Sequence, residues 1–259
     1  MSRFRLMPEA STRTEILAHL REAIADVRSR EAAALPFEIA QLDDRLADRG
    51  LDGAALHEIA PAAPALSDEA AATLFVAGIA ARMAAMTDAR VLWVVSRFDL
   101  YAPGLEQVGL SPERLIFAEG REDRDVLALM EDGLRHGALA AVIGEVRRAD
   151  MTASRRLQLA ADAGKTPAFL SRRWRRQGVC PLTELSAAST RWRIGCAPSA
   201  RLPASGVGRP RWTVELVRQR GGNPFSLLLE ACDDTGRLAL PAAAQHRAAP
   251  AVGAAARAA

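Results

Sequence analysis

Lys165 is the only lysine in the chain, and it stands in a Gly164-Lys165-Thr166 triplet of the kind that holds nucleotide phosphates. That chemistry needs a strand before the loop, an earlier glycine and a helix after it, so that backbone N–H groups close round the phosphates while the lysine reaches them. The earlier glycine position is Leu159, and the apolar spacing puts a helix before the triplet and a strand after it, the reverse order. Lys165 therefore reads as a surface turn residue, with Gly164 terminating the preceding helix. The one stretch with the right order is Gly53 to Met83: a short apolar strand, a loop, and a long apolar helix beginning near Asp68. Its loop, Ala60 to Ser67, carries Pro61 and Pro64, which have no N–H, and Asp68 and Glu69 follow, which repel phosphate.

Other candidate chemistry is thinner. His57 and Glu58 are adjacent, but HEIAP lacks the second histidine of a metalloprotease helix and falls on a strand. Ser96 and Ser154 have no nucleophile-elbow context. Cys180, Cys196 and Cys232 are far apart with no CxxC pair, which argues against a zinc site or disulfide framework and for reduced thiols. Glu145 closes the apolar run AAVIGEV, either as a catalytic remnant or as a plain strand-end acid. No catalytic set emerges, and the chain is not read as an enzyme. The positive signal is Arg172, Arg173, Trp174, Arg175 and Arg176, in the basic loop SRRWRRQGVC that begins at Ser171. Guanidinium groups pair with phosphates and an exposed tryptophan stacks on bases, which would give weak binding to single-stranded DNA. The alternative is that Trp174, Trp192 and Trp212 anchor strands beside a solvated basic edge, the better reading for Trp192 and Trp212.

These residues need a scaffold, and the apolar patterning supplies one. Continuous apolar runs at Ala55 to Ile59, Arg90 to Ser96, Leu115 to Phe117, Ala140 to Val146 and Pro167 to Leu170 suit buried parallel strands. Helical spacing fills the intervals at Pro103 to Val108, Asp123 to Arg135 and Thr152 to Ala163. Strands alternating with helices predict an α/β fold with a mostly parallel sheet flanked by helices. TRWRIGC, RPRWTVELVRQ and SLLLEACD then read as antiparallel C-terminal strands. Asp43 to Leu51 is polar and turn-rich.

Thr12 and Glu15 have capping-box spacing, and Ile16, Leu20, Ile24 and Val27 share one face of a separate N-terminal amphipathic helix, which binds a partner or packs on its own core. Residues 1–34 are thus a helix and linker, 35–241 the main domain, and 242–259 an Ala-rich tail expected to be disordered. With 259 residues, a net charge of +3 and no apolar run of membrane-spanning length, the protein is expected to be cytoplasmic, with no membrane partner and no cofactor.

With those pieces in order, the chain resembles the ImuA family of bacterial damage-inducible mutagenesis proteins, distantly related to RecA and SulA-like proteins. The resemblance covers roughly Leu35 to Leu240. It is carried by LPFEIAQLDDRL, GAALHEIA, VLWVVSRFDLYAPGLEQVGL, LIFAEGREDRDVLALMEDGLRH, AVIGEV, TASRRLQLAA, SRRWRR and RWTVELVRQRGG. It implies a RecA-like fold with a degenerate nucleotide site and a role in the SOS response. There the chain would be a non-catalytic adaptor of error-prone translesion synthesis, with an ImuB-like Y-family polymerase homologue, an alternative DNA polymerase III alpha subunit, and RecA as partners. It also implies that Arg97, with Asp99 close behind, stands where RecA-type ATPases place the acid that polarises the attacking water. Glu145 falls at the magnesium-associated acid, and the SRRWRR loop at the one that contacts single-stranded DNA. The alternatives are a RecA-like DNA-dependent ATPase or recombination factor, and a SulA-like cell-division inhibitor.

Overall fold

A computed structural model describes residues 34–174, 179–200, 202 and 205–241. The stripe of Ile16, Leu20, Ile24 and Val27, the arginines Arg175 and Arg176, and the tail 242–259 lie outside the described residues. Eight strands form one sheet: β1 (Leu56–Pro61), β2 (Val91–Val95), β3 (Leu115–Glu119), β4 (Ala141–Val146), β5 (Ala168–Arg172), β6 (Thr190–Ala197), β7 (Arg211–Gln219) and β8 (Phe225–Glu230). Their order is β3-β2-β4-β5-β1-β6-β7-β8. Strands β1 to β6 pair in parallel, and β6–β7 and β7–β8 are antiparallel. This is the mostly parallel sheet with antiparallel C-terminal strands that the sequence predicts.

The helices are α1 (Ala40–Asp43), α2 (Leu66–Thr87), α3 (Ala102–Glu106), α4 (Asp123–His136) and α5 (Met151–Gly164). Every residue of β1 and β4 is buried, because these central strands are covered on both faces; most are apolar, and His57, Glu58 and Glu145 are the buried polar exceptions. Alternation along each strand sends successive side chains to opposite cores. Trp93, Ile143, Phe169 and Trp192 join Phe75 and Ile79 of α2 on one face. Val94, Val142 and Leu170 join Met130 of α4 and Leu157 of α5 on the other. Trp192 and Trp212 are both core residues.

Helix α2 has the length and apolar composition of a membrane span, yet most of it is buried inside the fold, and its Arg82 donates to the Pro36 carbonyl. The stretch expected to be merely polar and turn-rich is part of the core. Leu42, Leu46 and Leu51 are buried on the α2 face, and Leu35 and Leu51 exchange two backbone hydrogen bonds of 2.8 Å. The left-handed residue that ends α5 is Lys165 (φ 48°, ψ 40°), not Gly164. Gly164 is needed for a different reason: a Cβ there would lie 1.8 Å from the Leu134 carbonyl oxygen of α4.

Candidate functional site

In open parallel sheets, ligands bind beyond the carboxyl ends of the strands. Here that rim carries the ends of β1, β2, β4 and β5 and the head of α2. A helix N-terminus presents free N–H groups and a positive partial charge, the natural seat of a phosphate. In this protein no side chain caps that end of α2, and its first turn carries two acids, Asp68 and Glu69, which repel phosphate. The Asp68 carboxylate accepts the Ala63 N–H at 3.0 Å through one oxygen and the Cys196 N–H at 2.9 Å through the other. Pro61 and Pro64 offer no N–H, and the Pro61 carbonyl is used by Trp174, whose Nε1 donates to it at 2.9 Å. The residues present do not fit the phosphates of a nucleotide.

The sheet brings together Arg97, Asp99 and Glu145, the three positions that the resemblance marks, and closes them with Arg173. Glu145 is buried at 4 % exposure near the end of β4. One of its oxygens accepts Trp93 Nε1 at 2.9 Å, and the other accepts Arg173 Nε at 2.7 Å together with a second, shorter contact from the same guanidinium. Arg173 also forks onto Asp99 at 3.0 and 3.1 Å, and Asp99 receives Arg97 at 2.9 Å. Burial pushes the Glu145 carboxyl up, against the charge of Arg173 and the hydrogen bonds from Arg173 and Trp93. Burial works to lower Arg173 as well, but Glu145 and Asp99 outweigh it and hold the guanidinium above its ordinary value. The two directions differ on how much the pair gains. The geometry decides for an ionic pair, since both Glu145 oxygens accept N–H groups. About 20 Å³ remains free among Ser96, Arg97, Asp99, Asp123, Glu145 and Arg173, room for about one water molecule. Glu145 is thus neither a free strand-end acid nor a magnesium ligand in waiting; it anchors Arg173.

The basic loop needs correction. Strand β5 runs through Ser171 and Arg172, so the loop begins at Arg173. Arg172 is fully buried and cannot reach a phosphate. Its NH1 lies 3.1 Å from Glu58 on the neighbouring β1, and its NH2 meets Glu184. Glu58 also accepts Arg191 Nε of β6 at 2.7 Å. Arg173, committed to Glu145 and Asp99, is largely withdrawn from solvent as well. Trp174 is half-buried and hydrogen-bonded to β1. The sequence signal for this cluster was Glu58 itself, an acid in the middle of an apolar strand.

His57, next to it, is fully buried. Its Nε2 lies 2.9 Å from the Asp52 carbonyl, which only accepts, and its Nδ1 lies 2.8 Å from Thr190 Oγ1. Burial lowers its pKa against the Asp52 hydrogen bond, so the ring is neutral with its proton on Nε2. Trp192 Nε1 donates to the same Thr190 oxygen at 2.7 Å, leaving the Thr190 hydroxyl proton for Nδ1. This is a satisfied core histidine.

No protein-family model matches the chain. It is 39% identical over 204 residues to Protein ImuA of Caulobacter vibrioides strain NA1000 / CB15N, covering 76% of this chain and 83% of that protein. The same figures hold for Protein ImuA of strain ATCC 19089 / CIP 103742 / CB 15. Among solved structures it is similar to SulA from Pseudomonas aeruginosa, with a TM-score of 0.39 and 23% identity, over 46% of this chain and 97% of that one.

Proposed function

The chain belongs to the ImuA family, and from that premise we propose that it is a non-catalytic, RecA-like adaptor in SOS-induced, error-prone DNA synthesis past lesions. The observation that supports the non-catalytic part is the loop between β1 and α2, where Pro61 and Pro64 supply no N–H and the Asp68 carboxylate is bonded to the Ala63 and Cys196 N–H groups. The ion pair of Glu145 with Arg173 supports the same reading, because the acid available to a metal is spent on a guanidinium. A fold that keeps the sheet and closes its nucleotide site has surfaces to offer and no turnover. Its partners on this reading are an ImuB-like polymerase homologue, an alternative polymerase III alpha subunit and RecA, in the cytoplasm. Single-stranded DNA contact falls to the segment from Trp174 through Arg176, since Arg172 is committed to the core.

The test is co-purification of the tagged chain from damaged and undamaged cells, with calorimetric titration of ATP alongside. Recovery of a Y-family polymerase homologue or RecA after damage, with no heat of ATP binding, is the expected result. Repeated failure to recover either partner overturns the adaptor reading, and ATP turnover abolished by Glu145→Gln overturns the non-catalytic one.

A further inference from the structure

On the face of the sheet opposite α2, the first turns of α4 and α5 diverge and leave a groove of about 410 Å³ between them. Its floor is apolar: Leu127, Ala128, Ala149, Ala153 and Leu157. It runs into a second depression of about 500 Å³, with which it shares Arg148, Ala149 and Asp150, and which ends at Leu185, 76% exposed. An occupant of this groove gains by burying apolar side chains and by meeting the rim charges.

The rim is mixed in composition and one-sided in what it offers. Asp123 spends its two oxygens on the Arg147 and Arg148 N–H groups at 3.2 and 2.9 Å. Asp150 caps α5 through Ala153 N at 2.7 Å. Glu131, buried, is held by Arg135 and Arg156 at 2.5 Å each. Asp123 and Glu131 are therefore taken up by donors of the protein, and only the exposed Asp150 keeps an oxygen free among the described residues. The guanidiniums face outward: Arg124 is 84% exposed beside Glu122, Arg156 is 64% exposed, and the Arg148 side chain has no ion-pair partner among the described residues. Each guanidinium carries five N–H donors, and single contacts leave most of them unused.

We propose that this groove is a docking site for an acidic amphipathic helix of a partner protein, with apolar residues at i, i+3 or i+4 and i+7 on the floor and Asp or Glu on the flanks meeting Arg124, Arg148 and Arg156. Two helical turns rise about 11 Å, the span from the Asp123 and Asp150 end of the groove to Glu131 and Leu157. The inference concerns a groove that borders the cluster of Arg97, Asp99, Glu145 and Arg173 at Asp123, and it does not depend on which pathway the protein serves.

The experiment is a display selection of random 16-residue peptides on the immobilised full-length protein, followed by fluorescence anisotropy of the enriched peptides. Enrichment of apolar residues at helical spacing flanked by Asp or Glu is expected. Those peptides should bind the Arg124→Glu, Arg148→Glu double variant about tenfold more weakly, the scale of a few exposed charge contacts each worth a small factor. Ala128→Gln, at an exposed floor position, should weaken them as well, and versions with Lys in place of the acids should regain binding to the double variant. Enrichment of basic or purely polar peptides overturns the proposal, and so does equal binding to the wild type and both variants. A concentration-dependent dimer in sedimentation velocity that Ala128→Gln abolishes assigns the groove to a second copy instead. Displacement of the peptides by a single-stranded oligonucleotide whose own binding is lost in the double variant assigns it to nucleic acid. Either of those results also overturns the proposal.

Discussion

The Asp68 carboxylate accepts the Ala63 N–H at 3.0 Å, folding the loop after β1 back onto the first turn of α2. Its second oxygen ties the head of α2 to the Cys196 N–H at the end of β6, so one side chain closes the loop and links two elements. Asp68→Ala is expected to lower stability in urea by about 1–2 kcal/mol, the scale of losing hydrogen bonds to a charged acceptor. It should not create ATP binding, because no lysine stands in the loop to reach a phosphate. Calorimetry on the wild type and the variant checks both halves. An ATP-binding signal that appears in Asp68→Ala would show that the carboxylate alone excludes nucleotide.

His57 makes stability sensitive to mild acid. Burial lowers its folded-state pKa below 6.5, so the unfolded chain takes up the proton first as pH falls. Its contribution is complete above about pH 6.5 and is lost as pH drops from there toward the folded value, at no more than about 1.4 kcal/mol per pH unit. Glu145 works in the opposite direction: pushed up by burial, it protonates at higher pH when folded, and acidification through that range favours the fold. The comparison is therefore between wild type and His57→Gln. Urea midpoints from pH 7.5 to 5 should fall more steeply for the wild type, and parallel curves would exclude His57 as the source.

The thiols should differ sharply in reactivity. Cys232 is packed against α2 so closely that a Cβ on Gly78 would lie 2.5 Å from its Sγ. Burial, with Asp233 beside it, pushes its thiol up to about 12. Cys196 is exposed. Since the thiolate is the reactive form, iodoacetamide near pH 8 is expected to modify Cys196 in the native protein and Cys232 only after denaturation, as read by mass spectrometry. Native labelling of Cys232 at a comparable rate would show that the α2–β8 side opens readily.

The strands were legible because central parallel strands must be apolar on both faces, and runs such as Val91–Val95 and Ala141–Val146 have no other comfortable home. Pro61, Pro64 and Asp68 marked the loop between β1 and α2, although not that Asp68 would turn back onto the Ala63 N–H and across to Cys196. Arg172 was misread because a charge in a sequence does not name its partner. Glu58 is 114 residues from Arg172 and 133 from Arg191, and only the order β5-β1-β6 makes the three neighbours. The same holds for Glu145 and Arg173: the sequence put the first at the close of one strand and the second in the basic loop after the next, while their meeting depends on β4 lying beside β5.

That buried cluster separates structure from DNA binding in one experiment. Removing Glu58 strands two guanidiniums in the interior, so Glu58→Gln is expected to cost about 3–5 kcal/mol in urea denaturation. Arg172→Met should cost less, because Glu58 keeps Arg191, Glu184 is partly exposed, and the new side chain fills the space with apolar volume. If Arg172 is purely structural, the variant leaves the slope of log affinity for single-stranded DNA against log salt where it was. Replacing Arg175 and Arg176 by Ala should flatten that slope by about 0.7 for each residue that touches a phosphate, with little change in stability. An Arg172→Met protein that is as stable as wild type but shows a flatter salt slope would place Arg172 on the DNA after all.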